Sequence, residues 1–475
     1  MEKHLLSKST FIRAWQCKKS IYLHKKRPFL RDKLSAQQRA KFDRGSRVGE
    51  LARDLFPGGV NLAPKAPSQY QQMVAKTTEA INAGQEIIYE ASFQYDRVLV
   101  ILDILVKKNG KYYAYEVKSS KSISSTYLMD AALQYYVIQN SGLSLSDISI
   151  IHINPDYSRN EQLDLNELFS TQSVKKEVLE RQGEVINEIS LAKNAITLKK
   201  SPDIDIGEHC YNPYRCDFIG HCWKHLKQNS VFELIHLSKE EQFAYYKNGQ
   251  QYIGDINENE LDNKAKKEYQ VYIKQEPYYN WKRINAFRLA FKQEFYMLNV
   301  IFVKPAVPAF QEHKPYQLVP ALVQINDQTN KTIYQWELNP GEPDFDKLYR
   351  KLHQIKQSDN SVIVFSDQDE QTEFLKSIFG ARLYNMYDLF FSMDYIDYRL
   401  QGDLTPQKIS KKLFEKNPFT LKEIPDKEVA AIKLNKVLFE NQNQKNDDIK
   451  AKVKTYSNQF VDFQFLLLSH INEQI

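Results

Sequence analysis

Asp103 interrupts an otherwise apolar run, Val98-Leu-Val-Ile-Leu-Asp-Ile-Leu-Val106, and thirteen residues later stands Glu116-Val117-Lys118. Between them Lys107-Lys-Asn-Gly-Lys111 carries Asn109-Gly110, the strongest short-range signal for a two-residue type I′ hairpin. With those two residues as the loop, Lys108 faces Lys111 and Asp103 lies directly across from Glu116, on one face, their Cβ atoms about 5 Å apart. Like charges so placed repel, so a cation is expected between them. Alternation puts Lys118 on the face of Glu116 and leaves the Val117 carbonyl at the edge as a further oxygen ligand. Carboxylate and carbonyl oxygens suit a hard cation such as Mg²⁺ or Mn²⁺, which keeps waters able to attack a phosphodiester. Lys118 would orient or deprotonate that water, or neutralise charge developing on the phosphate. The alternative is a pair of solvent-facing strand residues with no common role.

A second set of chemistry-bearing residues is sulfur. Cys210-x5-Cys216-x5-Cys222 places three thiols around Pro213, and the fourth cysteine, Cys17, lies far upstream. In a cytosolic chain such a cluster holds a metal more often than a disulfide. Four thiolates suit tetrahedral Zn²⁺ or an iron–sulfur cluster, and spacing does not decide between them; unliganded core thiols are the third reading. His209 and His221 adjoin cysteines and are either substitute ligands or surface histidines. A site closed by Cys17 and the 210–222 cluster would tie the first helix to the end of the surrounding domain, in a structural role.

Positioning these residues takes a particular series of elements. Residues 5–41 read as helical, 42–56 as a second helix ended by Pro57-Gly58-Gly59, and 68–84 as a third. Ile87–Phe93, Arg97–Lys107 and Lys111–Lys118 read as strands, Ser125–Asn140 as a helix and Ile148–Ile153 as a strand, the order α, three strands, α, strand. Helical segments near 172–194 precede the cysteines, residues 228–285 read as a polar helical connector, and strands and helices alternate again from Phe295. The run Asn441–Asp448 reads as an exposed loop. At 475 residues, 42% hydrophobic and 26% charged, the chain suits two or three soluble domains and excludes collagen and disorder. No apolar stretch approaches a bilayer span, and the N-terminus resembles no secretory leader, so a cytoplasmic protein without membrane contact is expected. Between Lys18 and Arg47 eleven Lys and Arg stand against Asp32 and Asp43, interleaved with Tyr22, Phe29 and Phe42. Such a stretch reads as a solvated helical face or as a contact for a polyanionic backbone, with Lys25, Lys26, Arg27, Arg44 and Arg47 as contact residues.

The Asp103…Glu116-Val117-Lys118 signature, in that element order, resembles the PD-(D/E)XK nuclease superfamily and is closest to its RecB-like branch. The resemblance implies an α/β nuclease core of order α-β-β-β-α-β, acting on DNA with Mg²⁺ or Mn²⁺. In that branch a downstream helix brings a glutamine and a tyrosine to the site. Gln134-Tyr135-Tyr136 is similar, without the usual Gln-x-x-x-Tyr spacing, since residue 138 is isoleucine. A His or Glu on the first core helix is matched best by Glu50. One cysteine before the core and three after it are similar to nucleases of this branch that hold a [4Fe–4S] cluster, which implies Cys17, Cys210, Cys216 and Cys222 as ligands; a Cys-x2-Cys step usual there is absent, and Zn²⁺ is the alternative. Residues 229–475 resemble the rest of a bacterial family of uncharacterised function in which an RNase H-like domain of the DEDD exonuclease type follows the nuclease. Here Asn299 and Ile301 replace its Asp and Glu, Glu370 survives from the second motif, and Phe460 takes the last Asp position with Asp462 nearby. The resemblance thus implies domains 1–228 (nuclease), 229–285 (connector) and 286–475 (a degenerate, catalytically silent RNase H-like domain). The last would serve packing, substrate channelling or binding of a helicase or other protein. An RNA-directed nuclease and a non-enzymatic nucleic-acid-binding adaptor are the competing functions.

Overall fold

Asn109 and Gly110 take φ of +52° and +73°, and Asp96 and Arg97, between the preceding pair of strands, take +47° and +59°. Two tight left-handed turns therefore flank one strand, as two-residue hairpins require. The computed structural model describes residues 3–292, 294–439 and 446–473. The chain divides into two units, the first holding residues up to His225 together with Ala306–Tyr316, the second Leu226–Pro305 and the residues from Gln317 onward.

The first unit is built on a seven-stranded sheet: β1 (Leu6–Ser7), β2 (Val60–Asn61), β3 (Ile87–Tyr95), β4 (Val98–Lys108), β5 (Lys111–Lys118), β6 (Leu145–Ile153) and β7 (Phe169–Ser173). β3, β4 and β5 are antiparallel neighbours, and β6 joins β5 in parallel. The parallel step is crossed by the helix Ser125–Asn140, which covers one face. The expected α, three strands, α, strand order is present. Its first part is more divided than a single long helix: β1 leads into α1 (Lys8–Gln16), α2 (Lys18–Lys26), α3 (Ala36–Ala52) and α4 (Tyr70–Asn82), with Ser125–Asn140 as α5. α3 begins at Ser35, whose side chain caps it together with Gln38, so the helix starts before the expected residue 42.

Two cores lie on the two faces of the sheet. Phe11, Val98, Val100, Leu102, Leu105, Leu133 and Ile150 belong to one, with α1 and α5. Val48, Ala52, Ile104, Ile151 and Ala306 belong to the other. Leu102 and Leu105 share a face while Ile104 takes the opposite one, so the alternation of β4 breaks at Asp103. Glu90, opposite it on β3, has φ +55°.

The second unit carries a five-stranded sheet of Phe295–Val303, Val319–Asp327, Thr332–Glu337, Ser361–Val364 and Leu383–Asn385, with the helix Asn446–Glu473 among those on it. Of the Asn441–Asp448 run, 441–445 lie outside the described residues, and Asn446–Asp448 open that helix. Both units are mixed α/β. Among the described residues no helix is long and apolar enough to cross a membrane.

Candidate active site

The β4–β5 ladder has the register that Asn109-Gly110 dictates, Lys108 pairing Lys111 and Ile104 pairing Tyr115. It stops there, one pair short of Asp103 and Glu116. The strands part, and the Asp103 carboxylate accepts the Val117 N–H at 2.6 Å. On its other side β4 pairs Tyr89 with Ile104 and Ala91 with Leu102, so Glu90 falls opposite Asp103. Three carboxylates, Glu90, Asp103 and Glu116, thus stand in a row across three strands.

Donors converge on the outer two. Glu116, 2% exposed, accepts Lys8 Nζ at 2.6 Å and Lys118 Nζ at 2.7 Å on Oε1, and Gln134 Nε2 at 2.8 Å on Oε2. Lys118 also donates to Asp130 Oδ2 at 2.6 Å, and Lys8 lies 3.9 Å from that oxygen. Arg53, just past α3, donates to Glu90 at 2.6 Å. Asp103, in the middle, pairs with no cationic side chain among the described residues. Burial and the neighbouring Glu116 push its carboxyl up to about 8. Burial acts the same way on Glu116, yet the Lys118 and Lys8 ammonium groups outweigh it and hold Glu116 well below the usual carboxylate range. Burial disfavours charge on both lysines, and the facing Asp130 and Glu116 reverse that, raising both. Two buried oxygens, Asp130 Oδ1 and Gln134 Oε1, have no hydrogen-bond partner.

Asp103, Glu116, Val117, Lys118 and Gln134 therefore meet at one place. Tyr135 does not join them, since its hydroxyl accepts from Gln139 one helical turn on. Glu50 stands exposed near the end of α3, and that end reaches the row through Arg53 instead. Lys8, Glu90 and Asp130 were not expected from the sequence. Of the basic stretch, Lys25, Lys26 and Arg27 are exposed at the end of α2, Arg44 lies over the Tyr316 ring at 5.5 Å, and Arg47 is partly buried. Tyr22 is buried, its hydroxyl on the Lys199 carbonyl, whereas Phe29 and Phe42 are exposed.

Cys17, at the α1–α2 junction, and Cys210, Cys216 and Cys222 line one small cavity. The four thiols are not disulfide-bonded. His209 shares the cavity wall, and His221 is not among its lining residues. Burial pushes the Cys222 thiol up to about 11. Polar contacts close the flank: Gln16 donates to the His209 and Tyr214 carbonyls at 2.7 and 2.6 Å, and Asp217 holds Arg13 and Arg31 at 2.6 and 2.7 Å. Among the described residues no three His, Cys, Asp or Glu side chains form a ready-made site for a metal ion.

In the second unit Asn299 donates to Ser457 at 2.9 Å, Ser457 to Gln324 at 2.7 Å, and Gln324 to Asn458 at 2.9 Å, all but Asn458 buried. Ile301 and Phe460 are core residues, Glu370 pairs with Lys304, and Asp462 accepts from Asn330. The five positions do not assemble a carboxylate cluster among the described residues.

No protein-family model matches the chain, and no curated protein matches it. Among solved structures it is similar to the crystal structure of SSO0001, at 13% identity over 43% of this chain and 81% of that one, with a TM-score of 0.19, a likeness too slight to carry an argument.

Proposed function

We propose that the first unit is a metal-dependent nuclease of the PD-(D/E)XK superfamily, RecB-like, hydrolysing phosphodiester bonds in single-stranded or end-containing DNA. The observation that carries the reading is the buried carboxylates Asp103 and Glu116 brought close together where the β4–β5 ladder ends, with Lys118 bonded to Glu116. Mg²⁺ binds through one or two carboxylates and keeps its waters. Asp103, without a cationic partner, and Glu116 fit such an ion, with the Val117 carbonyl at the edge. When bound, it would supply a polarised water and offset the phosphate charge. Glu116 is aimed by Gln134, and Lys118, fixed by Asp130, presents its ammonium group beside the position of attack. The basic α2–α3 surface holds the polyanionic strand.

Four unbridged thiols lining one cavity are a donor set that suits a [4Fe–4S] cluster, which Cys17, Cys210, Cys216 and Cys222 would hold, with Zn²⁺ as the alternative. It would fasten α1 and α2 to the end of the unit. The second unit is read as catalytically silent, because amides and apolar side chains fill the positions two-metal exonuclease chemistry needs. Cleavage of labelled single-stranded DNA, duplex DNA and RNA with Mg²⁺ or Mn²⁺ tests the assignment. Wild type should cut DNA, and Asp103→Ala and Lys118→Ala should lose at least 100-fold in rate, as an order of magnitude for a lost electrostatic or metal-binding group. Equal activity in all three would end the nuclease reading. Binding without cleavage under either metal would favour a non-enzymatic adaptor, and preference for RNA would redirect the substrate.

A further inference from the structure

β4 has two partners along the edge that faces β5. Val98 and Leu99 pair in parallel with Leu6 and Ser7 of β1, and residues from Ile104 onward pair with β5. Between those two ladders lies the interval that contains Asp103. Lys8 is the first residue after β1, and its side chain enters that interval to reach Glu116.

The position is an unfavourable one for a cation on local grounds. Lys8 opens α1, where the helix dipole disfavours positive charge, and the first turn of α1 holds no acidic residue. What holds the ammonium group is Glu116, with Asp130 behind it. Yet Glu116 already has Lys118 on the same oxygen and Gln134 on the other. Lys118 is 16% exposed and clasped by two carboxylates at 2.7 and 2.6 Å; Lys8 is 28% exposed, with one at 2.6 Å and the other at 3.9 Å. Lys8 is the more loosely held of two ammonium groups claiming one carboxylate oxygen.

We propose that Lys8 is a positioning residue that competes with the divalent cation for Glu116, so that the N-terminal segment sets how tightly the carboxylate row takes its metal. The proposal rests on the nuclease reading. A dication drawn to Asp103 and Glu116 meets the repulsion of both lysines, and the Lys8 side chain is the more exposed of the two. Once withdrawn from Glu116 it remains within a side chain's length of the row, as a mobile positive charge beside a bound phosphodiester.

Titration of the full chain with Mn²⁺ alone, free Mn²⁺ being read by its electron paramagnetic resonance signal, separates the possibilities. Lys8→Met should bind Mn²⁺ about tenfold more tightly than wild type, a typical size for coupling between two sites. Lys8→Arg should stay close to wild type, because the charge is kept, and Asp103→Asn should lose the binding. Should Lys8→Met fail to fold, Lys8→Gln carries the same expectation, keeping a neutral donor to Glu116. Equal or weaker Mn²⁺ affinity in the neutral variants overturns the role of Lys8 and leaves the nuclease reading standing. Absence of any Mn²⁺ binding that depends on Asp103 overturns the nuclease reading itself.

Discussion

Lys118 and Lys8 face two carboxylates, Glu116 and Asp130, in surroundings that exclude most water, and this balance makes Asp130 as consequential as the carboxylates that precede it in the chain. Asp130→Ala would leave two ammonium groups on a single carboxylate. Removing one partner of a buried pair costs about 3 kcal/mol or more, so the urea midpoint of the first unit should fall accordingly, and Asp130→Ala with Lys8→Met should recover part of the loss. An unchanged midpoint in Asp130→Ala would mean that the pairing carries little stability. Asp103, Glu116 and Lys118 were legible because one Asn-Gly turn fixes the register that faces them. Glu90 obeys the same arithmetic through a second tight turn, Asp96-Arg97, but neither residue is glycine, and positive φ at such a pair has no comparable signal in the sequence. Asp130 precedes Gln134 by one helical turn on the same face, and that spacing would have found it. Lys8 had no local signal, since it arrives through a parallel pairing of two residues with a strand some ninety positions away in the chain.

The hairpin of β4 and β5 delivers two of the three row carboxylates, so its turn is a test at the scale of the element. Gly110 sits at φ +73° with open space around it. A β-branched residue there meets no clash with neighbours and is opposed only by its own backbone. Gly110→Val should therefore cost about 1–2 kcal/mol, read as a lower melting temperature, whereas Gly110→Asn should cost much less. Equal melting temperatures for wild type and Gly110→Val would argue against a left-handed turn. An element the sequence assigned elsewhere is Ala306–Tyr316, expected within the second domain and found in the first unit. Tyr316 donates to the Ser119 carbonyl, next to Lys118, and Arg159 clasps the segment through the His313 and Pro308 carbonyls at 3.0 and 2.9 Å. No change of composition marks this excursion, because each of these hydrogen bonds ends on a backbone carbonyl, which every sequence supplies. In the second unit, helix Lys427–Phe439 opens on Lys427, whose amine burial pushes down to about 8, against the upward pull of Asp367. Between that value and the ordinary 10.5 the unfolded chain keeps a proton that the folded one has released, so stability should rise as pH rises across this window. Urea midpoints of wild type and Lys427→Met at pH 7, 9 and 10 check it: the rise should be smaller in the variant, and an identical slope in both would refute the assignment.

Across the whole chain, the cysteines and the basic stretch both fall in the unit that holds the carboxylate row. Cys17 separates α1 from α2, so whatever fastens it fastens both helices. One of them begins at Lys8, and the other bears Lys25 and Lys26 near its end. A ligand joining Cys17 to the 210–222 segment closes a very long loop, and its binding free energy becomes folding free energy of the parts it joins. The sequence made the four-thiol set visible by residue type alone, while the supporting contacts, Gln16 on the loop carbonyls and Asp217 between two arginines, come from pairs about two hundred residues apart that no spacing reveals. With a cluster in place, anaerobically prepared protein should be brown with broad visible absorption, and Cys17→Ser should be colourless. In that variant hydrogen exchange should quicken in Lys18–Lys26 and Glu208–Cys222, while the β4–β5 hairpin, held by its own ladder and two cores, keeps its protection. A colourless wild type containing zinc would replace the cluster with a zinc site and preserve the exchange pattern. A colourless, metal-free wild type whose exchange matches that of Cys17→Ser would leave the cavity an apolar packing feature, with α1 and α2 held by core packing and by polar contacts such as those of Gln16, Arg13 and Tyr22.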